Sequence, residues 1–367
     1  MALATRREKW GGGVVMRLLS ALVCFVYPGA VLIFLLQGPH AMVPALLWTF
    51  ALWAMVFADW LSSRLTKKPP PVLSEQFSAP VHDGILALLA LIQFANVGFL
   101  LVYASQLRWG SGFEILTSIV NLVVLRILVG TSSGSSGIIV AHELIHRPQL
   151  SYQWLGRLLM CSVCYEHFII VHKRSHHVHV AQPVDGTTAR RGEGYEDYCK
   201  RVYREHFIAS WNFECQRLGL SKALFQAGMI KNRVLHGVLI EGLWLLWALI
   251  TFGWVALAIY LYHCYSAIRL LEAINYFQHW GLSEQGEQRA VAWVNDGWLT
   301  RYALLGLSNH IDHHENATKP YPEIHYSAKG PKMPYGYFVT NLWVKVNNGS
   351  YQRRALRELA RFEKAQS

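Results

Sequence analysis

The sequence predicts an all-α integral membrane protein, with about six transmembrane helices and a histidine-rich di-metal cap on the cytoplasmic side. Composition is the first observation: 53% of the 367 residues are hydrophobic and only 16% are charged, whereas soluble domains carry about 25% charged residues. The second is that several uncharged runs approach the roughly 20 residues that a helix needs to cross a bilayer. The third is a set of histidine clusters that border the apolar runs.

Six apolar segments account for the predicted spans. They are Leu18–Leu36, Ala41–Ala58, Gly84–Ala104, Phe113 to about Val140, Leu235–Ile250 and Val255 to about Ile274. The links "QGPH" and "TFGW" are so short that the first two and the last two segments are expected to form helical hairpins. A count of five or seven spans is compatible with the same pattern.

The distribution of Lys and Arg predicts the orientation. The chain has 34 Lys and Arg against 23 Asp and Glu. The basic residues concentrate at the N-terminus (Arg6, Arg7 and Lys9), in the 61–83 loop, in the 141–233 segment and in the C-terminal region. By the positive-inside rule this side is cytoplasmic. No zinc-finger, helix–turn–helix or RNA-recognition pattern accompanies the charge, so we expect no nucleic-acid partner.

The predicted spans divide the chain into four regions. Residues 1–140 form the first four transmembrane helices, and 141–234 form a cytoplasmic segment with two histidine clusters. Residues 235–274 form the last hairpin, and 275–367 complete the cytoplasmic cap and end in a charged tail. The six cysteines are scattered, and Cys161 and Cys164 form a single CxxC that we interpret as structural.

Three histidine clusters have the spacing of metal ligands. They are "HELIHR", "HKRSHH" and "NHIDHH", and each contains imidazoles four residues apart, which share one face of a helix. A further histidine in "NYFQHWGL", just past the last span, is placed to complete the set. The candidate ligands are His142, His146, His172, His176, His177, His279, His310, His313 and His314.

Nine imidazoles are too many for one metal ion. A zinc protease of the HExxH type needs three protein ligands and a water, with Glu143 as its general base. Two metal ions with four or five imidazoles each use the whole set, so the sequence predicts a dinuclear site. His179 lies off the shared face and is left out. Imidazole binds several transition metals, so ligand type alone does not identify the metal.

In combination, these motifs resemble the histidine boxes of the integral-membrane non-haem di-iron family of alkane hydroxylases and fatty-acid desaturases. "NYFQHWGL" and "VAQPVDGTTARRGE" are similar to its alkane and xylene monooxygenase branch, and the resemblance covers roughly residues 40–345. Two departures are Gln278 and Val171, where alkane hydroxylases commonly have Glu before the matching histidines. These departures leave the set of metal ligands intact, but the identity of the substrate is not determined.

The resemblance implies a function. It implies two irons held by the nine histidines, O2 as co-substrate, and electrons from a rubredoxin or ferredoxin with its reductase. The expected reaction is hydroxylation of a terminal or benzylic methyl group of an apolar substrate, in a bacterial inner membrane. The alternatives are a related di-iron lipid enzyme, such as a desaturase or an alkene-forming decarboxylase, and a metal transporter. Transporter sites lie near the bilayer midplane, which disfavours the last.

Other residues are assigned supporting roles. Carboxylates near the clusters are expected to orient imidazoles, and the candidates are Glu143, Asp312, Asp185 and Asp59.

Aromatic residues of the second span are candidates for a substrate path from the bilayer, although such residues more often serve packing or lipid contact; they are Trp48, Trp53 and Phe57. Basic residues of the tail are candidates for docking an acidic electron carrier: Arg353, Arg354, Arg357 and Arg361.

Overall fold

A computed structural model describes residues 14–66, 69, 72, 77–282 and 290–366, and in these ranges the chain forms helices and no β-strand. Arg6, Arg7 and Lys9 lie outside the described residues. The longer helices are α1 (Val14–Leu36), α2 (Met42–Trp48), α3 (Phe50–Leu65), α4 (Ala79–Ser105), α5 (Gly112–Ser132), α6 (Ile138–His146), α7 (Leu150–Cys161), α10 (Tyr195–Leu218), α11 (Arg233–His279), α14 (Tyr337–Val346) and α15 (Asn348–Gln366). The shorter ones are α8 (Phe168–Val171), α9 (His177–His179), α12 (Trp298–Ala303) and α13 (His310–Glu315).

Five stretches of helix in the described residues are long and apolar enough to cross a membrane, rather than the six expected. They are Leu18–Leu36, Met42–Leu65, Ala79–Ser105, Gly112–His146 and Arg233–His279. The difference arises because the last two expected spans lie within the single 47-residue α11. The first four expected spans fall within the first four of these stretches. The all-helical membrane class is therefore confirmed, and the number of crossings stays a prediction.

The helix α11 is interrupted where the sequence predicts a hairpin. Gly253, in "TFGW", has φ of 80° and ψ of 176°, which is not helical, and positive φ is readily adopted by glycine. The turn after α7 contacts both halves: the Glu166 N–H donates to Glu241 Oε1 at 3.0 Å, and Tyr260 Oη donates to the Ser162 carbonyl at 2.9 Å. The two halves of α11 therefore lie side by side.

Small residues let the central helices approach closely. The second half of α11 packs along α5 and the turn that follows it, and α4 packs between α1 and α11. A Cβ added at Gly134 would lie 2.8 Å from Leu270 Cβ, and one at Gly130 would lie 2.5 Å from Ser266 Cβ. Close approach at small residues is a common way in which helices associate inside membranes.

Two π-helical turns interrupt the regular helices beside the histidine clusters. One covers Ser133–Gly137, between α5 and α6, and the other covers His172–His176, between α8 and α9. A π-turn bonds residue i to i+5 and often occurs at functional sites. The second turn changes which histidines share a face, and this decides the geometry of the site.

Candidate metal centre

Four helical segments bring the nine predicted histidines together. The end of α6 supplies His142 and His146, and the end of α11 supplies His279. The π-turn with the start of α9 supplies one cluster of three, and the short helix α13 supplies the other. Six of the nine are buried, and the other three, His142, His177 and His314, are partly buried.

The nine imidazoles form two adjacent groups. The first contains His142, His146, His172, His177 and His313, and the second contains His176, His279, His310 and His314. Within each group the available nitrogen atoms all lie within 4.8 Å of one another. The groups abut, since the rings of His177 and His314 are 4.6 Å apart. Among the described residues neither group includes a carboxylate, and His179 belongs to neither.

The π-turn reassigns the histidines of "HKRSHH". A regular α-helix would place His172 and His176 on one face, at the spacing of four that the sequence predicts. In the structure His172 pairs with His177, five residues on, and His176 faces the second group. A wider helical turn brings i and i+5 into line. One short segment therefore supplies ligands to both groups.

The ring nitrogens have the arrangement of metal ligands. The Nε2 atoms of His146 and His172, of His172 and His177, and of His310 and His314 are each 3.0 Å apart. Two nitrogens bound at about 2.1 Å at right angles to each other are separated by about 3.0 Å. The buried Nε2 atoms of His142, His176, His279 and His313 have no hydrogen-bond partner. Buried polar atoms without partners are rare, so this donor set fits two metal ions.

The surroundings favour the neutral form of four of these imidazoles, the form that metal binding requires. Burial lowers the pKa values of His172, His310 and His313 well below the usual value, and positive charge on neighbouring imidazoles would lower them further. Burial, and then positive charge on neighbouring imidazoles, also lowers the pKa of His314 well below the usual value. Nitrogen lone pairs are therefore available at neutral pH.

Hydrogen bonds orient two imidazoles of the second group. His176 Nδ1 donates to Asp185 Oδ2 at 2.9 Å, and His279 Nδ1 donates to the Val291 carbonyl at 2.8 Å. Each bond leaves Nε2 as the acceptor that faces the group. Asp185 also accepts from Thr188 Oγ1 at 2.6 Å and from the Thr187 N–H at 3.0 Å. Burial tends to raise the Asp185 pKa, but His176 and these hydrogen bonds together lower it.

The other three predicted carboxylates bind different groups. Glu143 Oε1 accepts from Arg147 Nε at 2.7 Å and from the Tyr321 N–H at 3.2 Å. Asp312 accepts from Lys319 Nζ at 2.7 Å and from the His325 N–H at 2.6 Å. Their described hydrogen bonds therefore hold the chain between 319 and 325, instead of orienting an imidazole.

Asp59 is likewise a structural anchor. It is fully buried on α3, where Oδ1 accepts from Thr300 Oγ1 at 2.6 Å and Oδ2 accepts from the Val339 N–H at 3.1 Å. These bonds tie α3 to α12 and α14. Asp59 therefore fixes the cap on the membrane helices and contacts none of the nine histidines through these bonds.

Two of the three aromatic residues proposed for a substrate path are exposed. Trp53 and Phe57 are 52% and 62% exposed on the outer surface of the bundle, where a membrane protein meets lipid. Trp48 is half-buried and packs edge-on against Phe34, with ring centroids 5.9 Å apart. Trp53 and Phe57 therefore do not lie in the interior of the bundle, and a role for the three residues in a substrate path stays a prediction.

Sequence reasoning missed a buried polar network behind the second group. His206 Nε2 lies 3.1 Å from Thr187 Oγ1, and His206 Nδ1 lies 3.0 Å from Tyr165 Oη. Tyr165 Oη donates to Glu272 Oε1 at 2.9 Å, and Tyr198 Oη donates to Glu272 Oε2 at 3.2 Å. The available signal was Glu272, an acidic residue in the last apolar segment, since charged residues in spans mark functional or tightly paired positions.

The comparisons with known proteins agree with this geometry. The profile of the fatty acid desaturase family matches residues 117–339, which include all nine histidines. Alkane 1-monooxygenase 1 of Pseudomonas aeruginosa is 36% identical over 57% of this chain and 56% of its own length, so the chain spans little more than half of that relative. Alkane 1-monooxygenase 2 of Alcanivorax borkumensis is 28% identical over 82% of each chain. The xylene/toluene monooxygenase hydroxylase component of Pseudomonas putida is 25% identical over 55% of each. This chain therefore belongs to the fatty acid desaturase family, in the branch that contains the alkane and xylene monooxygenases.

Proposed function

We propose that this protein is a membrane-bound di-iron monooxygenase that hydroxylates a terminal or benzylic methyl group of an apolar substrate. The observation that carries the proposal is the pair of all-imidazole groups, five and four nitrogens, built from the family's histidine boxes. Neutral ligands with unpartnered Nε2 atoms fit redox-active divalent metals.

The nine histidines would hold two iron ions, one in each group. Bound iron supplies the O2-dependent oxidation of an unactivated C–H bond, which side-chain acids and bases cannot perform. The protein's own residues bury the imidazoles, limit the access of water and fix their direction. Asp185 and the Val291 carbonyl act on the second group by holding the Nδ1–H of His176 and His279.

The substrate would arrive from the bilayer. The outer faces of the spans are apolar and exposed, as at Phe57 and Ile250, so a hydrocarbon dissolved in lipid meets the protein there. Between an alkane and an alkyl-aromatic substrate we favour the alkane. The alkane 1-monooxygenases are up to 36% identical to the chain, whereas the xylene/toluene enzyme is 25% identical.

A basic groove on the cap is the proposed docking site for an acidic rubredoxin or ferredoxin. Its volume is about 480 Å³, and Arg64, Arg353, Arg354 and Arg357 line it beside Trp343. Complementary charge accelerates and orients such encounters. The fourth tail residue proposed from sequence, Arg361, is not among the groove residues; it pairs with Glu358 at 3.1 Å, and Arg354 pairs with the same carboxylate at 2.8 Å.

Aromatic contacts connect this groove with the second group of histidines. Trp343 lies 5.7 Å from Tyr351, and Tyr351 lies 6.1 Å from Trp280, between ring centroids. Trp280 directly follows His279 in the chain. Close-packed groups therefore join the groove to the centre, which supports electron entry at this face.

Two other activities are weaker candidates. A zinc protease would need Glu143 free to activate water, but Glu143 is held by Arg147, and His142 and His146 share their group with three further histidines. A desaturase or an alkene-forming decarboxylase would use the same histidines, so only the product distinguishes these enzymes from a hydroxylase.

Product analysis under labelled O2 tests the proposal. Membranes that contain the protein, with a reductase and a rubredoxin or ferredoxin, receive a panel of alkanes and alkyl-aromatics. We expect a primary or benzylic alcohol that carries the label, and a His176→Ala variant should form none. An alkene as the main product, or an alcohol whose oxygen comes from water, would refute hydroxylation by O2.

The docking site is tested separately by measuring how fast the reduced donor transfers electrons to the protein. An Arg353→Glu, Arg357→Glu variant should slow this step, and added salt should slow the wild type towards the same rate. Arg190→Glu with Arg204→Glu, at two exposed basic residues of the 141–234 segment, is the control with the same change in charge. Equal slowing by the control variant would show that only overall charge matters.

A further inference from the structure

A second cavity lies directly behind the first group of histidines. It has a volume of about 290 Å³ and is lined by residues of α6, α7, the second π-turn and the start of α11. Ile145, on its wall, precedes His146, and Lys173 follows His172. Lys173 Nζ donates to the Ile145 carbonyl at 2.9 Å. The wall of this cavity therefore joins two of the segments that carry the first group.

The cavity has an excess of positive charge. Lys173, Arg174 and Arg233 all line it, and Arg174 and Arg233 are each close enough to Lys173 for their charges to repel it. The two acids of the lining are already engaged: Glu166 pairs with Arg157 at 2.5 Å, and Glu214 pairs with Arg217 at 2.7 Å. In the described part of the chain neither Arg174 nor Arg233 forms an ion pair. The arrangement is suited to an anion.

The rim of the cavity is apolar and faces outward. Leu150 and Trp154 are 72% and 50% exposed, and together with Leu158 they form a stripe at i, i+4 and i+8 along α7. Arg233 is the first residue of α11, the longest apolar helix. Leu150, Trp154 and Leu158 would therefore continue into the hydrocarbon region, while the cations stand at its edge.

We propose that this cavity binds the phosphate headgroup of an anionic phospholipid, with the acyl chains along the apolar stripe of α7. Basic pockets between membrane helices on the cytoplasmic side bind such headgroups. The arginine guanidinium suits phosphate because it can donate two parallel hydrogen bonds. Bound lipid would neutralise the repulsion between the three cations and stabilise the contact between the second π-turn and α6. The proposal does not depend on the oxidation reaction.

The test uses the full chain in a neutral detergent and measures lipid binding by native mass spectrometry and by thermal unfolding. The probes are short-chain phosphatidylglycerol, phosphatidylcholine with the same chains, and inorganic phosphate. We expect phosphatidylglycerol to bind and raise the unfolding temperature, and the other two to bind at least about tenfold more weakly.

Variants identify the site. Arg174→Ala with Arg233→Ala should reduce phosphatidylglycerol binding about tenfold or more, whereas Arg174→Lys with Arg233→Lys should retain most of it. Arg353→Ala with Arg357→Ala, in the other basic groove, is the matched control and should bind as the wild type does. An unchanged far-ultraviolet circular dichroism spectrum shows that each variant is folded.

Three results would overturn the proposal. Equal binding of phosphatidylcholine would show an apolar contact without headgroup recognition. Equally tight binding of inorganic phosphate would show a free-anion site. Full binding by a folded variant that lacks both arginines would place the lipid elsewhere on the protein.

Discussion

The replacement Asp185→Ala tests how the second group of histidines is held. Asp185 is buried, and its carboxylate is the acceptor for His176 Nδ1 at 2.9 Å. Without it the imidazole can rotate or change tautomer, and its Nδ1–H is buried without a partner. Loss of such a supporting contact typically weakens metal binding by about 10–100-fold, which is about 1.4–2.7 kcal/mol.

The expected loss is selective, because His176 is the one histidine of the nine that bonds to Asp185 in the described hydrogen bonds, and His279 is held separately by the Val291 carbonyl. We expect iron content to fall from about two to about one per chain after mild chelation, measured by elemental analysis of the purified protein. Asp185→Asn keeps an acceptor oxygen and should lose less.

The matched control is Asp312→Asn. Sequence reasoning assigned Asp312 the same role, but its described bonds go to Lys319 and the His325 N–H. We expect this variant to retain both irons at the same chelator concentration. If Asp185→Ala retains two irons while Asp312→Asn loses one, the assignment of positioning residues from the structure is wrong.

Three further predictions concern stability, metal and topology. Gly134→Leu should lower the free energy of unfolding, measured by thermal unfolding, by about 1–3 kcal/mol, because the new side chain would overlap Leu270. Gly29→Ala, at a position with open space around it, should leave the free energy of unfolding nearly unchanged. Asp59→Ala should cost about 2–4 kcal/mol because it leaves two buried donors unpaired, with iron affinity measured after refolding unchanged. A tag at the C-terminus should be protected from external label in intact cells, and its labelling would contradict a cytoplasmic cap.

Much of this protein was predictable because its strongest constraints are local in the sequence. Long apolar runs identify spans, since a helix is the way for a continuous segment to satisfy its backbone in lipid. The spacing of His142 and His146 predicts a shared face on a regular α-helix. The short link "TFGW" predicts the break that occurs at Gly253. The number of imidazoles predicts two metal sites, and the structure forms two groups.

The features that the sequence could not specify depend on contacts between distant segments. The sequence could not choose Asp185 over Asp312, since both lie near histidines, and only folding decides which carboxylate meets an Nδ1–H. It also gave no warning that residues 172–176 form a π-turn, which pairs His172 with His177.

The sequence by itself determined the membrane class and the histidine set and predicted two metal sites, because hydropathy and residue type are properties of single segments. Tertiary structure decided which histidine belongs to which group, which acid accepts a hydrogen bond from an imidazole, and where the cations of distant segments converge. Those outcomes depend on helix packing at Gly130 and Gly134 and on anchors such as Asp59. Each joins residues that are more than 100 positions apart, beyond the reach of any local pattern.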